Sequence, residues 1–217
     1  LIGLEIVEED YSSITLQCLL EPSGFLPEKI LRRGYTIASS MHRDVANAFL
    51  NGDVQLGASV MARDDESNRL YFLLVRILRT VIQNPELSEK LGVSPIECLD
   101  YRLVASLVES IGDDCVRIAQ KTIESNGIRL EKEPGRVFMH LHGTCFEAHE
   151  NALKAFLDGD IQRAEKVRDM RSRIEQQFER IEEIASAPSL EAAPQILSSA
   201  AFLRQIYEHS VDISDLA

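Results

Sequence analysis

The stretch AFLNGDVQ at residues 48–55 occurs a second time as AFLDGDIQ at residues 155–162. Six of the eight positions are identical, and the two copies are 107 residues apart. The match continues outside the stretch at the same offset, where His42 aligns with His149. Solenoid proteins repeat every 20 to 50 residues or so, whereas a period of about a hundred is typical of a duplicated small domain. The chain is therefore predicted to contain two copies of one unit.

A second, weaker pair of matching stretches supports the duplication. IGDDCVRI at residues 111–118 resembles IYEHSVDI at residues 206–213, at an offset of 95. The two pairs occur in the same order in both copies. The change of offset requires only a shorter connection in the second copy.

The spacing of apolar residues from residue 27 onward predicts three long helices in each copy. The expected helices span residues 27–51, 54–82 and 95–126, then about 136–158, 161–185 and 195–217. Gly52 and Gly159 should end the first helix of each copy, and the aspartate after each can cap the next helix. Three antiparallel helices joined by short turns form a bundle. Because a lone bundle would leave apolar stripes uncovered, we expect the two bundles to pack side by side.

The region before the first helix has a different pattern. Residues 1–20 are rich in β-forming residues in weak alternation, which predicts a β-hairpin, and EPSGFLP at 21–27 predicts a linker. The expected domains are a hairpin and linker at 1–27, a first repeat at 28–130 and a second repeat at 136–217. The predicted fold class is all-α: two tandem pseudo-symmetric three-helix bundles, preceded by a short hairpin.

Composition and charge narrow the possible functions. The 217 residues are 45% hydrophobic and 27% charged, with a net charge of −12, which is typical of a globular protein. An acidic chain is a poor ligand for free nucleic acid, because a phosphate backbone is bound by clustered Lys and Arg. The longest apolar runs, such as LYFLLV at 70–75, are too short to insert into a membrane.

The spacing of the cysteines and the start of the sequence indicate the cellular compartment expected for this protein. The four cysteines share no CxxC spacing: Cys18, Cys98, Cys115 and Cys145. This pattern favours a reducing, cytoplasmic setting over a disulfide framework. The chain opens at Leu1 without a signal peptide, and we expect it to be part of a longer protein.

The predicted third helices of the two copies carry related motifs, ESIGDDCVRI at 109–118 and RQIYEHSVDI at 204–213. These motifs resemble the third-helix signature, approximately ERIGDHxxNI, of the PhoU family of phosphate-uptake regulators. RLYFLLVR at 69–76 and LGVSPIECLDYRLV at 91–104 resemble the archaeal branch. In that branch a PhoU region often follows an AbrB-like DNA-binding domain, and LIGLEIVEED at the start is similar to the joining segment. The resemblance covers residues 28–217, and residues 1–27 more loosely.

The resemblance implies a regulator and not an enzyme. PhoU proteins are cytoplasmic, often dimeric, negative regulators that act through the phosphate ABC transporter and, in bacteria, a sensor kinase. The expected partners are therefore the transporter or a signalling protein, with a possible homodimer and no nucleic acid bound by this chain alone. The sequence contains no GxSxG, P-loop or GxGxxG motif. Two alternatives stay open: the effector part of a transcription regulator with a DNA-binding domain upstream of Leu1, or a metal-binding helical protein.

Some members of the family bind iron or zinc on acidic helix motifs, and the first copy retains such a pattern. Glu109 and Asp113 are four residues apart, so both carboxylates lie on one face of the third helix. Like charges at this spacing are destabilising unless a cation lies between them. A metal with Asp64 or Asp65 as further ligands could be that cation, and so could Arg117 in a salt-bridged polar face.

The second copy departs further from the metal-binding pattern. Arg204 stands where the motif has its glutamate, and Arg171 corresponds to Asp64. Glu208 and Asp212 remain four residues apart and form a weaker candidate pair. Any metal site should therefore lie in the first copy.

Three potential soft ligands lie on one side of the fourth helix. His142, Cys145 and His149 have the spacing i, i+3 and i+7. They could bind zinc, but three residues of one helix rarely complete a tetrahedral site. The alternative is a partly buried helix face.

Overall fold

The structure, a computed structural model, describes residues 26–130, 132–186, 190 and 192–217, together with two strands near the N-terminus. The strands are β1 (Leu4–Glu9) and β2 (Ile14–Cys18). The helices of the first repeat are α1 (Pro27–Asn51), α2 (Val54–Ala62), α3 (Asp64–Gln83), α4 (Pro85–Leu91) and α5 (Pro95–Glu124). Those of the second are α6 (Lys132–Asp158), α7 (Ile161–Asp169), α8 (Arg171–Ala185) and α9 (Ala193–Ser214).

The ends of the first helices repeat between the two halves, as the duplicated sequence predicted. Gly52 and Gly159 both have φ +63° and end α1 and α6. Asp53 accepts a hydrogen bond from Leu56 N at 2.9 Å, and Asp160 likewise caps α7. A left-handed glycine followed by a capping aspartate ends one helix and starts the next within two residues.

The second helix predicted in each copy is in fact two helices. The predicted range 54–82 is interrupted at Arg63, and the range 161–185 is interrupted at Met170. At each break the backbone N–H bonds to the carbonyl three residues back, Val60 or Val167, which tightens the helix for one turn. Both residues keep right-handed backbone angles, so no glycine or proline marked the break in the sequence.

Two further helix boundaries differ from the prediction. The segment after α3, predicted as a connection, contains the short helix α4, which Asn84 caps and Gly92 ends. Helix α6 begins at Lys132 and not at residue 136. Pro134 lies in its first turn, where a missing N–H costs nothing because such groups have no partner inside the helix.

The helices form two bundles that share one core. α1, α3 and α5 pack together in the first repeat, and α6, α8 and α9 in the second. The bundles meet through α5 against α9 and α1 against α6. Asp113 on α5 and Glu208 on α9 lie on the equivalent third helices, as the duplication requires. The predicted all-α fold of two tandem bundles is confirmed.

The N-terminal strands pair as the sequence predicted. β1 and β2 are antiparallel, with Leu4 opposite Cys18 and Glu9 opposite Ile14. The linker expected at 21–27 falls mostly outside the described residues. Among the helices that the structure describes, none has the length and apolar character needed to span a bilayer.

Candidate functional site

Three carboxylates of the first repeat lie near one another between α3 and α5. Asp64 begins α3, whereas Glu109 and Asp113 lie one turn apart on α5. Burial raises the pKa of Glu109, and the nearby Asp113 and Asp64 raise it further. Burial also raises the pKa of Asp113, again with a contribution from Asp64. Three of the four candidate metal ligands of this repeat therefore lie close enough to act on one another electrostatically.

The hydrogen bonds and burial of Asp64 resemble those of a metal ligand in some respects only. Asn68 donates to Asp64 Oδ2 at 2.9 Å, whereas the buried Oδ1 has no hydrogen-bond partner. Burial raises the pKa of Asp64, and the exposed Asp65 raises it further. Three carboxylates are suitable ligands for a hard divalent cation. Over the described ranges, however, no three Asp, Glu, His or Cys side chains converge on a point that could hold a metal, so these would have to turn inward.

In the second repeat an arginine lies at the position equivalent to Asp64. Arg171 makes a two-bond ion pair with Glu208, with N–O distances of 2.9 and 2.8 Å. Arg204 places its guanidinium 4.5 Å from the ring centre of Phe178. The carboxylate of Glu208 is therefore engaged by a guanidinium, and Asp212 is exposed.

A hydrogen-bonded chain of four side chains joins α1 to α6. Tyr35 Oη lies 2.9 Å from His149 Nδ1. His149 Nε2 lies 2.9 Å from His42 Nδ1, and His42 Nε2 lies 3.2 Å from His142 Nδ1. Tyr35 and His42 belong to α1 and the other two to α6, so each bond crosses between the repeats. We call this set the histidine chain.

Burial keeps the histidine chain uncharged at neutral pH. It lowers the pKa of His42 well below the usual value, that of His142 to about 4 and that of His149 to about 3. Neighbouring histidines and Arg43 lower these pKa values further. Burial also raises the pKa of the Tyr35 phenol. All three histidines are therefore neutral in the folded protein.

His142, Cys145 and His149 lie on one face of α6 that is more deeply buried than the partly buried face expected from the sequence. Cys145 is fully buried, and its burial raises the pKa of the thiol. Both histidines bond toward α1. Sequence reasoning aligned His42 with His149 but did not predict their contact. The missed signal was that Tyr35 and His142 are also 107 residues apart.

A second polar contact crosses the interface between α5 and α9. His209 Nε2 lies 3.4 Å from Asp114 Oδ2, and these residues are equivalent positions of the two third-helix motifs. The Asp114 side chain is 1% exposed, and Arg117 pairs with its other oxygen at 2.8 Å.

These features define a duplicated helical-bundle protein whose repeats pack through equivalent positions. Residues 31–122 and 138–217 match the PhoU domain, and the chain belongs to the PhoU family. The fold is similar to the crystal structure of PhoU from Pseudomonas aeruginosa, with a TM-score of 0.75 and 15% sequence identity over 88% of this chain and 92% of that one. Among curated proteins, none matches this sequence.

Proposed function

We propose that this protein is a cytoplasmic regulator of phosphate homeostasis that acts by binding protein partners and turns over no substrate. The observation that carries the proposal is the presence of two PhoU domains that together span most of the chain. The expected partner is a phosphate ABC transporter or a signalling protein that controls phosphate uptake, and a homodimer is compatible with this role. The effect on uptake is negative.

The charge of the chain supports an expectation about the surface of its partner. A net charge of −12 favours a basic surface, because complementary charges speed association and suppress wrong partners. Ions screen such interactions, with a Debye length of about 8 Å at physiological salt. Binding should therefore weaken as salt rises.

A direct binding measurement tests the proposed interaction. The full chain would be titrated against the purified ATP-hydrolysing subunit of the phosphate transporter at about 50 and 500 mM salt, a range over which the Debye length shortens severalfold. We expect saturable binding that weakens at the higher salt, with an ATP-hydrolysing subunit of an unrelated transporter as the control. Equal binding to both subunits, or none to either, would count against the transporter as partner.

The first-repeat carboxylates support a second proposal, that this repeat binds one divalent cation. Asp64 raises the pKa values of Glu109 and Asp113, and Asp113 raises that of Glu109, so a cation between them would relieve the repulsion. The buried oxygen of Asp64 without a partner also fits a ligand that has yet to bind. In the second repeat Arg171 already supplies the positive charge, so we assign the cation to the first repeat alone.

A further inference from the structure

The histidine chain allows only two arrangements of its protons. A neutral imidazole has one N–H donor and one acceptor nitrogen, so a histidine that accepts on one side must donate from the other. In one arrangement Tyr35 donates to His149, and all three histidines carry the proton on Nε2. In the other arrangement every bond runs the opposite way, and the protons are on Nδ1. A mixture would place two donors or two acceptors face to face in a buried site, and an unmade buried hydrogen bond is costly.

The two ends of the histidine chain are equivalent positions on different repeats. Tyr35 is half-buried on α1, and His142 is 8% exposed on α6. His142 uses Nδ1 within the chain, which leaves Nε2 as the outer end. Whether that nitrogen presents a proton or a lone pair depends on the direction of the bonds that begin at Tyr35.

The groups around the histidine chain set its resting direction. Ser39 lies close enough to the Tyr35 phenol to lower its pKa, and a serine hydroxyl that donates to the phenol oxygen leaves the phenol O–H free to donate to His149. The charged groups that act on the chain are Arg43 of α1 and Glu150 of α6. α5 and α9 contribute Asp114 and His209 to the same interface, where His209 Nε2 lies 3.4 Å from Asp114 Oδ2.

We propose that the histidine chain is a two-state element that couples the repeats, because a group that bonds to one end reverses all three hydrogen bonds and changes what the other end presents. In the resting state the protons are on Nε2 of His42, His142 and His149, and the outer end of His142 is a donor. A ligand or partner that donates a hydrogen bond to this end favours the reversed state, in which Tyr35 becomes an acceptor. This coupling is a property of the fold and does not depend on a role in phosphate regulation.

Nuclear magnetic resonance of the histidine rings tests the proposal. Long-range proton–nitrogen spectra of the uniformly nitrogen-15-labelled full chain at pH 7.5 report which ring nitrogen carries the proton. We expect His42, His142 and His149 to be neutral and all protonated on Nε2. Two different tautomers among the three would overturn the proposal, since they cannot occur in one continuous chain.

Tyr35→Phe tests the coupling between the ends. The substitution removes the donor that sets the direction, so both directions should become populated and the ring nitrogens of all three histidines should shift together. Tyr101→Phe is the matched control, because Tyr101 is half-buried but packs against Phe156, outside the histidine chain. A change at His149 alone, with His142 unaltered, would show that no coupling passes through the chain.

Ser39→Ala gives a second variant if the first fails to fold. It removes the hydroxyl that favours Tyr35 as donor and leaves every member of the histidine chain in place. The three histidines should again shift in concert toward a mixture of the two tautomers. Unchanged spectra for this variant, beside a wild type with one common tautomer, would contradict the proposed control of direction.

Discussion

His42 and His149 occupy the same position in the two repeats, and their ring nitrogens lie 2.9 Å apart across the interface. Asp114 and His209, also equivalent positions, approach to 3.4 Å between the third helices. The pseudo-two-fold axis therefore passes close to two polar pairs. Contacts of a residue with its own equivalent are expected where two copies pack through the same surface, so the interface resembles that of a symmetric dimer held in one chain.

The buried histidines should make the protein sensitive to mild acid. In an unfolded chain histidine titrates near pH 6.5 or so, whereas the pKa is lowered to about 4 in His142 and about 3 in His149. Between these values the unfolded state binds more protons, so the free energy of unfolding falls as pH falls. Each histidine contributes up to about 1.4 kcal/mol per pH unit in this window and nothing above it. Urea denaturation at pH 7.5 and pH 5 measures the loss.

His149→Gln tests whether the buried histidines cause the loss of stability in mild acid, because it leaves the carboxylates of the protein unchanged. The variant should be less stable than the wild type at pH 7.5, because it breaks the histidine chain, and it should lose less stability between pH 7.5 and 5. His140→Gln is the control, since His140 lies on the exposed side of the same helix. Equal pH dependence in the wild type and His149→Gln would show that the chain histidine is not the cause.

The two equivalent glycines should tolerate substitution differently. Both Gly52 and Gly159 have φ +63°, where an alanine costs about 1–2 kcal/mol. A Cβ on Gly52 would also lie 2.1 Å from the carbonyl oxygen of Gly127, whereas a Cβ on Gly159 meets no atom within 4 Å. We expect Gly52→Ala to destabilise the protein by a further 1–3 kcal/mol or so, measured by denaturation. Equal losses in the two variants would disprove the close approach.

Asp113→Asn should have opposite effects with and without a divalent cation. Without a cation it removes a repelling charge beside Asp64 and Glu109, and we expect stabilisation of about 0.5 kcal/mol. With Mn²⁺, Fe²⁺ or Zn²⁺ the wild type should gain thermal stability, and the variant should lose that gain. Thermal unfolding with and without each ion, and elemental analysis of the purified protein, provide the measurements.

Glu208→Gln is the matched variant for the cation prediction. It removes the equivalent carboxylate of the second repeat, which already pairs with Arg171. The response to the cation should remain that of the wild type. If the thermal stability of the wild type does not respond to a cation, the carboxylates form only a polar face. If Glu208→Gln loses the response, the cation site lies in the second repeat, which would contradict the assignment to the first.

Two arginines that pair with carboxylates should differ in their contribution to stability. Arg117 pairs with Asp114, whose side chain is 1% exposed, whereas Arg171 pairs with Glu208, which is 46% exposed. Each guanidinium also lies within 6 Å of an aromatic ring centre, at 5.8 and 5.6 Å. Arg117→Ala leaves a buried charge and should cost about 1–3 kcal/mol, whereas Arg171→Ala should cost 1 kcal/mol or less, roughly. Equal costs would contradict this account.

Local chemistry explains which parts of the fold could be predicted. The predicted start of α5 at residue 95 agrees with the structure, where Ser94 and Glu97 form a reciprocal capping box. The ends of α1 and α6 were predicted from a glycine followed by an aspartate. The breaks at Arg63 and Met170 were not visible, because both residues keep helical backbone angles. Such breaks depend on packing against other helices.

The candidate sites also include one arrangement that the sequence predicted and one that it did not. The spacing of Glu109 and Asp113 within one helix placed both carboxylates on one face. The hydrogen bonds of the histidine chain form because α1 packs against α6. The spacing of residues within one helix does not show how two helices pack, so these bonds could not be predicted. His42 and His149 were aligned by the repeat, but a repeat shows equivalence and not contact.

The central claim, that this protein negatively regulates phosphate uptake, is tested most directly by deletion of its gene. Intracellular phosphate and transporter transcripts would be measured in phosphate-replete medium in the wild type, the deletion and the deletion complemented with this chain. The account predicts that both quantities rise in the deletion and return to wild-type levels on complementation. Unchanged phosphate and transcripts in a strain that lacks a second PhoU gene would contradict it.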